Sequence, residues 1–333
     1  MLEVNVKPLV KGALSFALPA LRSTHRPVAN STGSGEYCYS VFLRHFSRLS
    51  RFSGGAMPRV VAEFGPGDTI GTGLAALLAG AERYYALDIQ NHTDAERNLQ
   101  VFDILVALFK ARSPVPRYPD PLFIFTQPRE WGFPPELEAG MEAALAEERL
   151  EAIRQDLISN TGRHIRFAAP WHDRDLVAPG SIGWIFSHSV MEHVDEVAEV
   201  YRRCAEWLAD GGYMTHEIDY GCHNLTKHWN GHWRLQEPVW KLVRGRRPYL
   251  INRLPHQEQR AAMLDSGFEI LEEERSRRDD GVGKGEFAQP FARMSDDDAR
   301  TNVAFVLARL MHRMPVQTGS PPRTGRPAAN PAG

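Results

Sequence analysis

The run Val60-Val61-Ala62-Glu63-Phe64 passes directly into the glycine turn Gly65-Pro66-Gly67-Asp68, and a helical pattern with Leu74, Leu77 and Leu78 on one face follows. A short apolar run of this kind reads as a strand covered on both faces. A helix a few residues later makes it the opening of a crossover unit in a parallel sheet. The same order recurs downstream, with short apolar runs at Tyr84 to Asp88, His164 to Phe167 and Ile182 to Ser187. Between Val194 and Leu208, Val197, Tyr201, Cys204 and Leu208 recur at helical spacing, and Asp210-Gly211-Gly212 ends that helix. Tyr213 to Asp219 is the fifth strand, and Phe268 to Leu271 and Val303 to Leu307 complete a sheet of about seven. The fold class is therefore α/β, with helices on both faces of one sheet.

Two stretches exceed what a minimal crossover needs. Residues 91–160 hold a helical stripe (Leu99, Phe102, Val106, Phe109), a proline-rich turn from Pro114 to Pro121 and a second helix from about Leu137 to Leu157, and are expected to form a helical cap. Residues 220–253, rich in Trp and His, follow the fifth strand as a second insertion. The expected plan is an N-terminal helical segment (1–55, with a docked helix over Ser34 to Phe52), a catalytic domain (56–314) and a disordered Pro/Gly/Ala/Arg tail (315–333).

Thirty-nine basic against 41 acidic residues give a net charge of −2, without the basic excess of a general nucleic-acid binder. Cys38, Cys204 and Cys222 are too scattered for a disulfide framework or a CxxC metal site, which suits a reducing cytoplasm. The apolar stretch Pro8 to Leu21 is interrupted by Lys11 and Pro19 and falls short of the roughly 20 residues that span a bilayer. It also lacks the basic start and cleavage site of a secretory signal. Peripheral membrane contact through this segment stays open, as an amphipathic anchor.

The glycine turn is the strongest chemical signal. Glycine lets a ligand approach the backbone, and a helix start presents unpaired N–H groups. A dinucleotide fingerprint would need GxGxxG, but Ile70 stands at the third glycine position, so a nicotinamide oxidoreductase is disfavoured. Asp88, about twenty residues beyond the turn, is placed to accept hydrogen bonds from the two hydroxyls of a ribose.

Over Val60 to Leu307 the chain resembles the class I S-adenosylmethionine-dependent methyltransferases. Val60 to Gly67 is similar to their first motif, Ser187-His188-Ser189-Val190-Met191-Glu192-His193-Val194 to the stretch after their fourth strand, and Leu208 to Met214 to the helix end and fifth strand. Leu264-Asp265-Ser266-Gly267-Phe268-Glu269-Ile270 resembles the step into their sixth strand. Four ordered matches are far more specific than one. The resemblance implies a Rossmann-like seven-stranded methyltransferase sheet and S-adenosylmethionine as cofactor. It implies cofactor contacts at Glu63, Phe64, Gly65, Pro66, Gly67, Asp88, Ile89 and Ser187. Departures are Asp68 in place of a frequent third glycine and Gly183-Trp184 where many members open the fourth strand with an acid. Some branches bind a divalent metal through Glu-x-x-Glu-His; here Ser189 replaces the first Glu, and no metal is expected. The Asn-Pro-Pro-aromatic motif of amino-directed DNA methyltransferases is absent.

Methyl transfer from a sulfonium is an in-line displacement, for which the protein supplies orientation and, for a hydroxyl nucleophile, a base. The candidates are His188, His193 and His216. His228 and His232 have metal-like HxxxH spacing, but Asn230-Gly231 between them argues for a turn. In the run His228-Trp229-Asn230-Gly231-His232-Trp233-Arg234, the residues Trp229, Trp233 and Arg234 offer flat faces and a guanidinium to a sugar. The expected reaction is therefore methylation of a hydroxyl on a small-molecule or glycan acceptor. The alternatives are a quinone, lipid or protein acceptor, or a catalytically silent S-adenosylmethionine-binding module.

Overall fold

A computed structural model describes residues 4–21, 33–117, 126–128 and 130–312. The expected tail at 315–333 and the end of the proline-rich turn lie outside the described residues. In chain order the elements are α1 (Val6–Leu14), α2 (Gly35–Ser53), β1 (Val60–Phe64), α3 (Gly71–Leu78), β2 (Arg83–Leu87) and α4 (Ala95–Lys110). Next come α5 (Glu138–Ala144), α6 (Glu147–Ser159), β3 (Ile165–Ala168), β4 (Ile182–His188), α7 (Val197–Trp207), β5 (Leu208–Asp219) and α8 (Glu237–Arg244). The chain closes with α9 (His256–Asp265), β6 (Phe268–Arg277), α10 (Asp296–Arg300) and β7 (Thr301–Leu310).

The seven strands form one sheet in the order β3-β2-β1-β4-β5-β7-β6. β1 to β5 pair in parallel, and β7 runs antiparallel between β5 and β6. This is the Rossmann-like methyltransferase sheet that the resemblance implies. Period-two alternation in β4 sends Trp184 and Phe186 to one core and Ile185 to the other, and the register irregularity between Ile182 and Trp184 puts Ile182 with Ile185. Helices α2, α3 and α4 cover the first face, and α7 and α9 the second.

Two expectations about organisation change. The helical parts of 91–160 are not a separate cap: Val101, Phe102, Leu105, Phe109, Leu150 and Ile153 share one core with Trp184 and Phe186. α4 packs on α2 and α3, and α6 packs on α4 and β3. The expected long helix from Leu137 to Leu157 breaks at Leu145-Ala146 into α5 and α6. The docked helix expected over Ser34 to Phe52 is α2. Tyr39, Phe42, Phe46 and Leu49 of α2 are fully buried in that same core. α1 docks instead on α8, where a Cβ on Gly12 would lie 2.2 Å from the Val243 carbonyl oxygen. No described helix is long and apolar enough to cross a membrane.

Candidate active site

β1 has β2 on one side and β4 on the other, so the chain reverses its direction of travel across the sheet between them. Doubly wound sheets bind ligands outside the carboxyl ends of the strands at such a point. The Gly65 loop, Asp88 and Ser187-His188 lie at those ends.

The loop owes its shape to close packing. Gly65 has φ +64° and donates its N–H to the Leu87 carbonyl at 2.8 Å, and a Cβ there would meet the Val190 side chain at 2.5 Å. Beneath it, Glu63 is buried and accepts a hydrogen bond from the Tyr84 hydroxyl at 2.6 Å. Tyr84 reaches Glu63 only because residue 73 is glycine: a Cβ would lie 1.9 Å from the Tyr84 ring. Burial pushes the Glu63 carboxyl up to about 7, against the pull of Tyr84, Thr72 and the Gly73 amide. Glu63 thus fastens the start of α3 from below, in a supporting position. Phe64 is likewise turned away from the crevice, edge-on to Trp171 at 5.3 Å and stacked on Trp207.

Asp88 is half-buried just past β2. Its Oδ1 accepts from the Ile89 and Gln90 amides at 2.6 and 3.3 Å, which fixes the carboxylate beside the Gly67 amide. Burial raises its pKa, and these amides oppose the rise. Pro66 is buried, and Ile89 packs half-exposed against the second core.

At the end of β4 the side chains divide between the two faces. Ser187 Oγ pairs with His216 Nδ1 at 2.7 Å, and His216 is fully buried against Tyr201. His216 therefore cannot meet an acceptor and holds Ser187 instead, contrary to the catalytic part expected of it. On the α2 face, His188 Nδ1 lies 3.3 Å from His45 Nε2, and His188 Nε2 lies 3.6 Å from Glu217 Oε1. His45 Nδ1 pairs with Thr215 Oγ1, which also accepts from Trp184 Nε1. Glu217 Oε2 accepts from Thr126 Oγ1 at 2.6 Å, so the described part of 126–128 does reach this edge. Burial pushes His188 down to about 3 and Glu217 up to about 7, leaving the imidazole neutral and the carboxyl able to hold a proton near neutrality.

Arg44, His45 and Arg48, polar residues in a helix otherwise given to the core, went unnoticed in the sequence. Arg48 bridges Thr126, Gln127 and Glu274, and Arg44 donates to the Thr126 carbonyl. Their signal was their placement at positions 44, 45 and 48 on one helical face.

His193 follows β4 in a 3-10 turn, Met191–His193, and its Nδ1 is bonded to the Tyr249 carbonyl at 3.0 Å. Its ring stands edge-on to His223 at 4.9 Å. Burial lowers His193 to about 4, and burial with the neighbouring Asp219 raises Glu192 to about 8.

The Trp-rich insertion does not present the expected platform. Trp233 is 1% exposed, donates Nε1 to the Arg253 carbonyl at 3.0 Å and packs on Phe287. It is a core residue. Trp229 is half-buried with the Arg278 guanidinium over its ring, and Arg234 pairs with Glu286 at 3.1 Å. His232 is buried while His228 is exposed, so the HxxxH pair does not converge.

The chain is similar to solved structures of methyltransferases. One, an S-adenosylmethionine-dependent methyltransferase from Mesorhizobium loti, is 14% identical, covering 79% of this chain and 97% of that one at a TM-score of 0.38. Another, from Methanosarcina mazei, is 10% identical over 79% and 96% at 0.42. Phosphoethanolamine N-methyltransferase 2 from Haemonchus contortus, solved with S-adenosylmethionine, is 14% identical over 84% and 58% at 0.40. No family model and no curated protein matches the chain.

Proposed function

We propose that this chain is an S-adenosylmethionine-dependent methyltransferase acting on a hydroxyl of a small-molecule or glycan acceptor. The observation that supports the cofactor most is the meeting of the Gly65–Gly67 loop with Asp88 at the carboxyl ends of β1 and β2. A bare backbone turn at the start of α3 suits the methionine part of the cofactor, and the fixed carboxylate suits the ribose hydroxyls. Ser187 is fully buried with its Oγ on His216, so it supports the end of β4 from below. The catalytic unit then comprises residues 56–314 together with α2, whose side chains complete the edge.

S-adenosylmethionine held there would supply a sulfonium methyl group to the acceptor oxygen and leave as a neutral thioether. The hydroxyl proton goes to a base. His188, neutral and backed by His45 and Glu217, is the group we assign to it. Held near 3, it is a weak base, so orientation carries most of the rate. A sugar acceptor loses the Trp233 face, while Trp229 and Arg234 are only partly exposed and already meet Arg278 and Glu286. The test is turnover: S-adenosylhomocysteine formed with a hydroxylated acceptor supports the assignment. Cofactor binding without turnover on any acceptor class favours the silent module.

A further inference from the structure

Glu192, His193 and His223 come together where the turn after β4 meets the loop after β5. One donor atom from each lies within 4.8 Å of the others. Glu192 is 3% exposed, and its carboxylate oxygens have no side-chain hydrogen-bond partner among the described residues, only the backbone of Glu192 itself and of Asp219 beside them. An ionisable group buried in this way normally has a partner, because desolvation without one is costly.

The two imidazoles are already oriented from behind. His193 Nδ1 is engaged by the Tyr249 carbonyl, which makes it the protonated nitrogen and leaves the Nε2 lone pair outward. His223 Nε2 lies 3.2 Å from Asp219 Oδ2, which leaves its Nδ1, and Asp219 is itself fixed by the Gly221 amide on Oδ1. Carbonyl–histidine and carboxylate–histidine pairs of this kind set tautomer and ring direction in metal sites. His223 takes φ +48° and Asn224 φ +61°, left-handed conformations that turn the loop sharply at the cluster.

We infer that Glu192, His193 and His223 bind a first-row divalent cation at the carboxyl edge of the sheet. Two nitrogens and one carboxylate select such an ion over calcium or magnesium. Donors at about 2 Å from an ion stand roughly 3–4 Å from one another, so small side-chain rotations close the cluster onto it. The expectation of no metal rested on Ser189, whereas the folded chain brings its third donor from residue 223. Three protein ligands leave a coordination position for an exogenous oxygen. Taken with the proposed function, that oxygen is the acceptor hydroxyl, which the cation would orient and acidify. Only this last step depends on the methyltransferase reading.

Cobalt(II) titration of the purified full chain, followed by visible absorption and by calorimetry, tests the site. The wild type should take up one equivalent with a d–d spectrum of a nitrogen/oxygen site. Glu192→Gln and His223→Ala should each weaken uptake at least tenfold, while His228→Ala should leave it unchanged. His223 is exposed, so its variant keeps the test open if the Glu192 variant misfolds. Absence of stoichiometric cobalt binding by the wild type would overturn the inference. So would folded variants that bind cobalt as the wild type does. S-adenosylmethionine binding, measured on the same samples, separates the two readings: its loss with cobalt uptake intact removes the methyltransferase reading and leaves the metal site standing.

Discussion

The β1–α3 loop and the 220–253 insertion were both legible as ligand sites, yet they fold in opposite senses. The loop is poor in functional side chains, but its backbone geometry is imposed from below by Glu63, Tyr84 and Gly73, and it faces Asp88. The insertion is rich in indole, imidazole and guanidinium groups, and it spends most of them on itself. Trp233, Trp240, His232 and Arg253 are buried, with Arg253 stacked over Trp240 and donating to the His232 and Leu235 carbonyls. A stretch of about 30 residues that leaves the sheet must build a small core of its own, and large amphipathic rings supply it, with Trp233 Nε1 bonded to the Arg253 carbonyl. Aromatic richness thus marks a folding requirement here, whereas the glycine turn leaves a bare backbone surface, the one proposed to take the cofactor.

That contrast requires mutations in the insertion to cost stability and mutations at the loop to cost binding. The largest effect should come from Trp233→Ala, which removes a fully buried ring and should destabilise by about 3–5 kcal/mol in urea unfolding. A loss near zero would return Trp233 to the acceptor site. Trp229→Ala should cost clearly less, and an equal loss would erase the distinction between the two rings.

The edge of β4 offers a pH test. His188 is neutral in the folded chain down to about 3, whereas an unfolded histidine gains its proton near 6.5. Between those values the unfolded state binds more protons, so the histidine contribution is intact above 6.5 and is lost as pH falls towards 3. Glu217, raised to about 7, acts in the opposite sense between the ordinary carboxylate range and 7, so the acid loss steepens below about 4.5. His188→Asn should flatten that limb by up to about 1.4 kcal/mol per pH unit in chemical denaturation. An unchanged slope would show that His188 is already charged in the native state. The smallest expected effect is that of Ser187→Ala, which strands His216 Nδ1 and should cost about 1–2 kcal/mol. A neutral result would detach His216 from the support of the crevice.

The strands were readable because each buried parallel strand is a continuous apolar run; β1 begins and ends where Val60 and Phe64 placed it. The apolar pattern of β6 ends at Leu271, but the strand runs on through Glu272, Glu273 and Glu274 to Arg277, because an edge strand tolerates such charges. β5 begins at Leu208, five residues earlier than expected, because the Asp210-Gly211-Gly212 turn is absorbed in a β-bulge. Asp88 could be read from spacing alone. The His45–His188–Glu217 chain and the approach of His223 to Glu192 and His193 could not, since these contacts join residues distant in sequence through helix and sheet packing that no local pattern encodes.

The central claim is that the loop and Asp88 hold S-adenosylmethionine. Calorimetric titration of the wild type and Asp88→Ala with S-adenosylmethionine and with NAD tests it directly. The predicted result is binding of S-adenosylmethionine and not of NAD, weakened several-fold or more in the variant, since hydrogen bonds to a charged acceptor contribute about 1.5–3 kcal/mol each. S-adenosylmethionine affinity indifferent to Asp88, or a preference for NAD, would contradict it.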